Sequence, residues 1–426
     1  MKDGPQEVEE PPLVRSCGAE PKSGRPAADY VLGLCARVAA CTDVPGTIER
    51  LFLSPATQEV HALLAAEMLA LGMQVRVDAV GNLRGFYAAE RVDAPVLLVG
   101  SHIDTVPNAG AFDGVLGVAM GLGVVRSLHA QKLAYAVEVI AFSEEEGVRF
   151  RLPFIGSRAL IGTLGKLELQ RMDADGVSVD RAIQDFGLTT DLSSGLTPGT
   201  FAFLECHIEQ GPVLEALGLP LAVVTAIVGQ TRLELHFSGR ANHAGTTPMD
   251  LRQDALAAAA AWIGAVERYA RGVDGMVATV GSIEVTPGAV NVIAASAVVS
   301  LDVRHAVDAT RETAVVALVA AAEREASARG VSVAWRETSR QDAVTMDARL
   351  CGELGAAIEK SGLVAHRMFS GAGHDAMILA EKVPSAMLFV RTPHGLSHHP
   401  DEAVLAADVQ AACDALSVLL GQLEAC

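Results

Sequence analysis

The chain has 426 residues, half of them apolar, a fifth charged and only 4% aromatic. That length supplies the core of two or three domains and excludes a peptide hormone, a coiled coil or a disordered scaffold. A formal net charge of −18 makes nucleic acid and an anionic membrane surface poor partners, although a local basic pocket for a small anion is compatible with it.

Residues 1–27, rich in Pro, Glu, Gly and Ser, read as a mobile N-terminal tail. Its opening MKDGPQEVEEPP has no basic segment followed by an apolar one, so a secretory signal is not expected. The seven cysteines are scattered without a CxxC spacing and read as reduced thiols, which makes a cytoplasmic location the expectation. Apolar runs such as 255–266 fall short of the ~20 residues that span a bilayer.

Beyond the tail, short β-rich runs alternate with Ala/Leu-rich helical stretches, the pattern of an α/β sheet. Val96–Gly100 (VLLVG) reads as a buried strand, followed by a loop and a helix over about 115–130. Ala136–Phe142, Phe201–Cys206 and Ala386–Val390 read as further buried strands. Between about 227 and 340 the texture changes. Thr231–Ser238 and Val299–Arg304 alternate apolar and polar residues, as antiparallel strands wetted on one face do. Helical stretches near 250–270 and 308–328 accompany them. The expected fold class is therefore α/β: a larger domain with a mostly parallel sheet (28–226 and 341–426) and an inserted smaller α+β domain (227–340).

Chemistry-bearing residues cluster after the buried strands. GSHIDTVP places His102 at the C-terminal end of a strand, where open α/β sheets bind ligands, with Asp104 two residues on to fix its tautomer. Asp113 follows in FDG, at the start of the next helix. Three consecutive glutamates, Glu144, Glu145 and Glu146, follow directly on Ala136–Phe142; like charges packed there need a cation or a shared proton. His207 stands in LECHIEQGP, and His398 and His399 in GLSHHPDE. Imidazoles and carboxylates without a thiolate suit Zn, Mn, Co or Ni, and a carboxylate between two ions would make a dinuclear hydrolase. Taken singly, the same residues also serve loop hydrogen bonds or a solvated acidic turn, and both readings stand at this level.

The strings GSHIDTV, AFSEEEGVRF, HIEQGPVLE, HAGTTPMDLRQDA and SGAGHDAM occur in this order and resemble the allantoate amidohydrolase and N-carbamoyl-L-amino-acid hydrolase branch of the metal-dependent aminoacylase/carboxypeptidase superfamily. The resemblance spans about residues 30–420. It implies two divalent ions per subunit, Mn most of all, with Zn or Co as alternatives. It implies His102, Asp113, Glu146, His207 and His398 as metal ligands, Asp113 as the bridge, and Glu145 as general base. With three glutamates in a row, a shift to Glu144 and Glu145 fits the string equally. Gln210, His243, Asn291 and Arg304 match residues that bind substrate, with His243 also stabilising the oxyanion from the partner subunit, and His374 has a supporting role. The larger domain would then be the metal-binding catalytic domain and the inserted one a lid and dimerisation domain. The implied reaction is hydrolysis of the ureido bond of allantoate by a homodimer, releasing ammonia and carbon dioxide. N-carbamoyl-L-amino acids and ureidoglycolate are the alternative substrates, and an N-acyl hydrolase, a peptidase or an inactive binding relative are more distant alternatives.

Overall fold

The computed structural model describes residues 27–424, so the expected tail, apart from Ala27, lies outside the described residues. Nine strands form the larger sheet. Their order is β1 (Gln74–Val77), β2 (Leu83–Tyr87), β4 (Ala136–Phe142), β3 (Val96–His102), β5 (Thr200–Ile208), β14 (Ser385–Val390), β6 (Leu221–Ile227) and β12 (Val344–Thr345), with β13 (His366–Ser370) also paired to β6. The centre, β4-β3-β5-β14, is parallel throughout. The flanks turn antiparallel at β1-β2-β4 on one side and β14-β6-β12 on the other.

The parallel centre forms where the sequence runs continuously apolar. Every residue of β3, β4 and β14 is buried, because helices cover both faces of such strands. Two strands run further than the expected limits. Pairing continues to His102, opposite Phe142, and to Ile208, opposite Val390. His102 and His207 are thus strand residues rather than loop residues, and the neighbouring strands fix their backbones.

The second sheet collects β7 (Gly229–Ser238), β8 (Val277–Thr279), β9 (Ile283–Thr286), β10 (Ser296–His305) and β11 (Ser332–Gln341). Its order is β11-β7-β10-β8, with β9 also on β10, and every pair is antiparallel. Strict alternation on β7 and β10 aims Leu233, Leu235, Phe237, Val299, Leu301 and Val303 at a core of their own. Helices Ala255–Arg271 and Asp308–Ser327 close that core, with Trp262 fully buried and its indole N–H donating to the Leu318 carbonyl at 2.9 Å. Asp254 caps the first of these helices by accepting from the Ala257 amide. The chain crosses from β6 to β7 and returns from β11 to β12, and the two crossings run side by side where Val344 pairs with Ile227. No helix among the described residues is long and apolar enough to cross a membrane.

Candidate metal centre

The C-terminal ends of β3, β4 and β5 and the loop after β14 bring His102, Glu145, Glu146, His207 and His398 together around Asp113. Asp113 sits just before helix Val115–Ser127. The intervening Gly114 has φ +67, and a Cβ there would lie 2.6 Å from the His102 ring, so only glycine lets the helix start so close to the imidazole.

Asp113 is the hub. Its Oδ1 lies 3.2 Å from His207 Nε2 and 3.7 Å from His102 Nε2. Its Oδ2 lies 3.2 Å from His398 Nε2, which is itself 3.5 Å from Glu146 Oε1. Two sets of donor atoms result, His102/Asp113/His207 and Asp113/Glu146/His398, each compact enough to hold one ion, and a third group joins His102 to Glu145 and Glu146. Asp113 Oδ1 and His207 Nε2 are buried, 3.2 Å apart, and neither has a hydrogen-bond partner. Paired lone-pair donors left unsatisfied in the interior fit a cation between them. Glu144 is buried too, but it belongs to none of the three groups.

The supporting contacts orient the ring nitrogens. His102 Nδ1 meets the backbone carbonyl of Asp104 at 3.0 Å and its carboxylate at 3.4 Å. The Asp104 carboxylate accepts chiefly from the amides of Glu145 and Glu146, each at 3.0 Å, so it holds the glutamate turn as much as the histidine. His207 Nδ1 lies 2.9 Å from the Ile208 carbonyl. Both histidines thereby present Nε2 to Asp113.

Electrostatics follow from the crowding. Burial alone would depress His102, but Asp104, Glu145 and Asp113 overcome it and hold the imidazole well above its ordinary range. Burial works against the ionised Asp113 as well, yet His207 and His398 hold it well below the usual carboxylate range. Burial, reinforced by Glu146, Asp375 and Asp104, pushes Glu145 well up, and Glu146 is pushed up to about 7, mainly by burial. His374, packed with its ring centroid 4.4 Å from that of His207, is held low by burial and by its neighbour.

The remaining expected residues are placed differently. Gln210 Nε2 donates to Asp113 Oδ2 at 3.1 Å and to Ser397 Oγ at 3.2 Å, while its buried Oε1 has no partner. Arg304 lies on β10, pairs through Nε and Nη2 with Asp302 and donates Nη1 to the Gly371 carbonyl at 2.8 Å, which joins the second sheet to the loop before His374. A cavity of about 520 Å³ beside it is lined by Arg232, Asp302, Phe369 and Gly371 among others. His243 and Asn291 neighbour each other, since the Ala244 amide donates to the Asn291 carbonyl. Both are exposed, and His243 Nδ1 accepts from the Gly245 amide of its own loop. Neither joins the metal residues within this chain. His399 is half-exposed and turned to Asp401, apart from the cluster.

The sequence reading gave no role to Ser397 or Glu402, although both lie in the GLSHHPDE string. Glu402 is buried and accepts from the Phe112 and Asp113 amides, 2.9 and 3.0 Å away. An acidic residue closing a histidine loop was the available signal.

Comparison with known proteins decides the family. A model of Peptidase family M20/M25/M40 matches residues 98–422. The chain belongs to this family. It is 40% identical over 367 residues to the N-carbamoyl-L-amino acid amidohydrolase of Geobacillus stearothermophilus, covering 84% of this chain and 88% of that one. It is 37% identical over 407 residues to allantoate deiminase 1 of Glycine max, covering 87% and 84%. A crystal structure of a hydantoinase/carbamoylase family amidase from Burkholderia ambifaria superposes with a TM-score of 0.87 at 35% identity, covering 92% of this chain and 96% of that one. This member of the M20/M25/M40 family is a hydrolase acting on C–N bonds.

Proposed function

We propose that the protein hydrolyses the ureido bond of allantoate, using two divalent ions that share Asp113. The observation that carries this reading is the division of labour on Asp113, whose two oxygens each head a separate donor set. His102, His207 and Asp113 would hold one ion, and Asp113, Glu146 and His398 would hold the other. An all-imidazole and carboxylate donor set supports Mn, with Zn or Co as competitors. When bound, the ions lower the pKa of a water and draw charge from the scissile carbonyl.

Glu145, next in the chain to a ligand and in a group with His102 and Glu146, takes the proton of the attacking water and delivers it to the leaving nitrogen. Its burial and raised pKa support an acid–base role. The Arg304 fork, with Asn291 supplied by a second copy of the chain, grips the substrate carboxylate, and Gln210 contributes its free Oε1. His243 donates to the oxygen that gains charge. Because His243 and Asn291 are exposed and stand apart from their own chain's metal residues, they serve the site of a second copy, in a homodimer formed through a 227–340 domain that also acts as a lid. Five buried free thiols, Cys35, Cys41, Cys206, Cys351 and Cys413, support a reducing, cytoplasmic setting.

An N-carbamoyl-L-amino acid is the second reading, favoured by the 40% identity to an amidohydrolase of that class. Ammonia release from allantoate, ureidoglycolate and a panel of N-carbamoyl-L-amino acids, by enzyme stripped of metal and reloaded with Mn, Zn or Co, decides between them. Metal-restored turnover of allantoate is the expected result. Turnover of carbamoyl amino acids alone would keep the mechanism and change the substrate, and silence on every ureide would overturn the reading.

A further inference from the structure

Glu402 takes no part in the reaction just described, yet every side of its carboxylate is engaged. Oε1 accepts from the amides of Phe112 and Asp113, at 2.9 and 3.0 Å, and Oε2 lies 3.1 Å from Ser397 Oγ. A Cβ on Gly110 would come within 2.3 Å of Glu402 Cβ, so the loop ahead of Asp113 is shaped around this side chain. Ser397 Oγ lies equally close, 3.1 Å, to Asp113 Oδ2.

A serine hydroxyl carries one hydrogen. Here two carboxylate oxygens face it at the same distance, and only one can receive it. Gln210 Nε2 already donates to Asp113 Oδ2 at 3.1 Å, so a hydrogen from Ser397 would take the second lone pair of the oxygen that heads the set with Glu146 and His398. Given to Glu402, it leaves that second lone pair open. Gln210 Nε2 already donates to Ser397 Oγ at 3.2 Å, so the hydroxyl's other side is taken and its hydrogen has no third destination.

We propose that Glu402 is a positioning residue for a divalent cation: it clamps the Asp113 loop through two amides and accepts the single hydroxyl hydrogen of Ser397, so that Asp113 Oδ2, already bonded to Gln210, keeps one lone pair for the ion. This rests on the metal reading above. It makes Ser397 a donor whose direction is set by Glu402, two residues that touch the ion only through Asp113.

The decisive variant is Glu402→Gln. The Phe112 and Asp113 amides hold the new side chain's oxygen, so its NH₂ is turned toward Ser397. As a donor there, it forces the hydroxyl hydrogen onto Asp113. Metal-stripped full-length protein titrated with Mn²⁺ in a calorimeter is expected to show binding on the order of tenfold weaker for Glu402→Gln than for wild type. Adding Ser397→Ala removes the obstructing hydrogen, so the double variant recovers most of that loss, and Ser397→Ala alone binds nearly as wild type. Wild-type affinity in Glu402→Gln, or a double variant weaker than Glu402→Gln, would overturn the donor-direction proposal, because a merely structural role predicts damage that accumulates. Amide hydrogen exchange in the metal-stripped protein tests the clamp without any ion. Phe112 and Asp113 should exchange slowly in wild type and Glu402→Gln and fast in Glu402→Ala. Unchanged exchange in Glu402→Ala would overturn the clamp. A wild-type protein that takes up no Mn²⁺ sinks the metal reading instead, and leaves the exchange result to judge Glu402.

Discussion

At the edge of the parallel strands, Asp113, Glu145, His102 and His207 are buried together, and Asp113 Oδ1 and His207 Nε2 lie 3.2 Å apart with no hydrogen-bond partner. On the wet face of the second sheet, Asp302 lies between Arg232 and Arg304, bonded to both at 2.9 to 3.0 Å. One region concentrates donors that cannot satisfy one another, and interior burial makes that arrangement costly until a cation enters. The other satisfies its charges locally at little cost and little gain, as partly exposed pairs do. The difference separates two tasks. Under the proposed function the first region would hold an ion, and the second would keep a guanidinium in a set direction for a ligand carboxylate.

The comparison breaks most completely at Asp113. Asp113→Ala removes the residue common to both donor sets, so metal analysis should find both ions lost and turnover undetectable. Normal metal content would remove Asp113 as the bridge. Glu145→Gln separates ligation from proton transfer: metal content should stay at the wild-type level while kcat falls roughly 10²- to 10⁴-fold. Substantial turnover would move the base to Glu144. In the second region, Arg304→Ala should raise KM for a carboxylate-bearing ureide by about 10- to 100-fold, with a smaller change in kcat and an unchanged thermal midpoint. Equal KM values would dissociate Arg304 from the substrate.

The smallest effect concerns pH. Glu146, ordinarily near 4.5, is pushed up to about 7 by burial, so between those values the folded metal-free protein binds more protons than the unfolded one. Stability of the metal-free protein should therefore decline as pH rises from about 4.5 through 7, and divalent ion binding should weaken several-fold as pH falls below 7. Thermal melts with and without Mn²⁺ check both signs. A metal-free protein that gains stability over that interval would contradict them.

The parts of the molecule legible in the sequence are those where burial leaves a repetitive trace. Ala136–Phe142 and Ala386–Val390 are apolar without interruption because both faces are covered, and Thr231–Ser238 alternates because one face is wet. The short edge strands β1 and β12 and the largely exposed β11 leave no such trace. The candidate ligands were legible as strings, but their division into two sets was not. It depends on which oxygen of one aspartate each histidine meets, and His207 and His398 are indistinguishable in that respect until the chain is folded. Ser397 and Glu402 escaped for a related reason: their bonds to residues 112 and 113 span nearly 300 positions, and no periodicity encodes them.

The side-by-side crossings at Ile227 and Val344 carry a consequence for protein engineering. A segment that leaves and re-enters at adjacent, paired positions has the connectivity a replaceable cassette requires. Excision of residues 229–341 with the ends rejoined by a tight turn should leave the parallel strands unstretched, and a foreign module placed between the same two points should do the same.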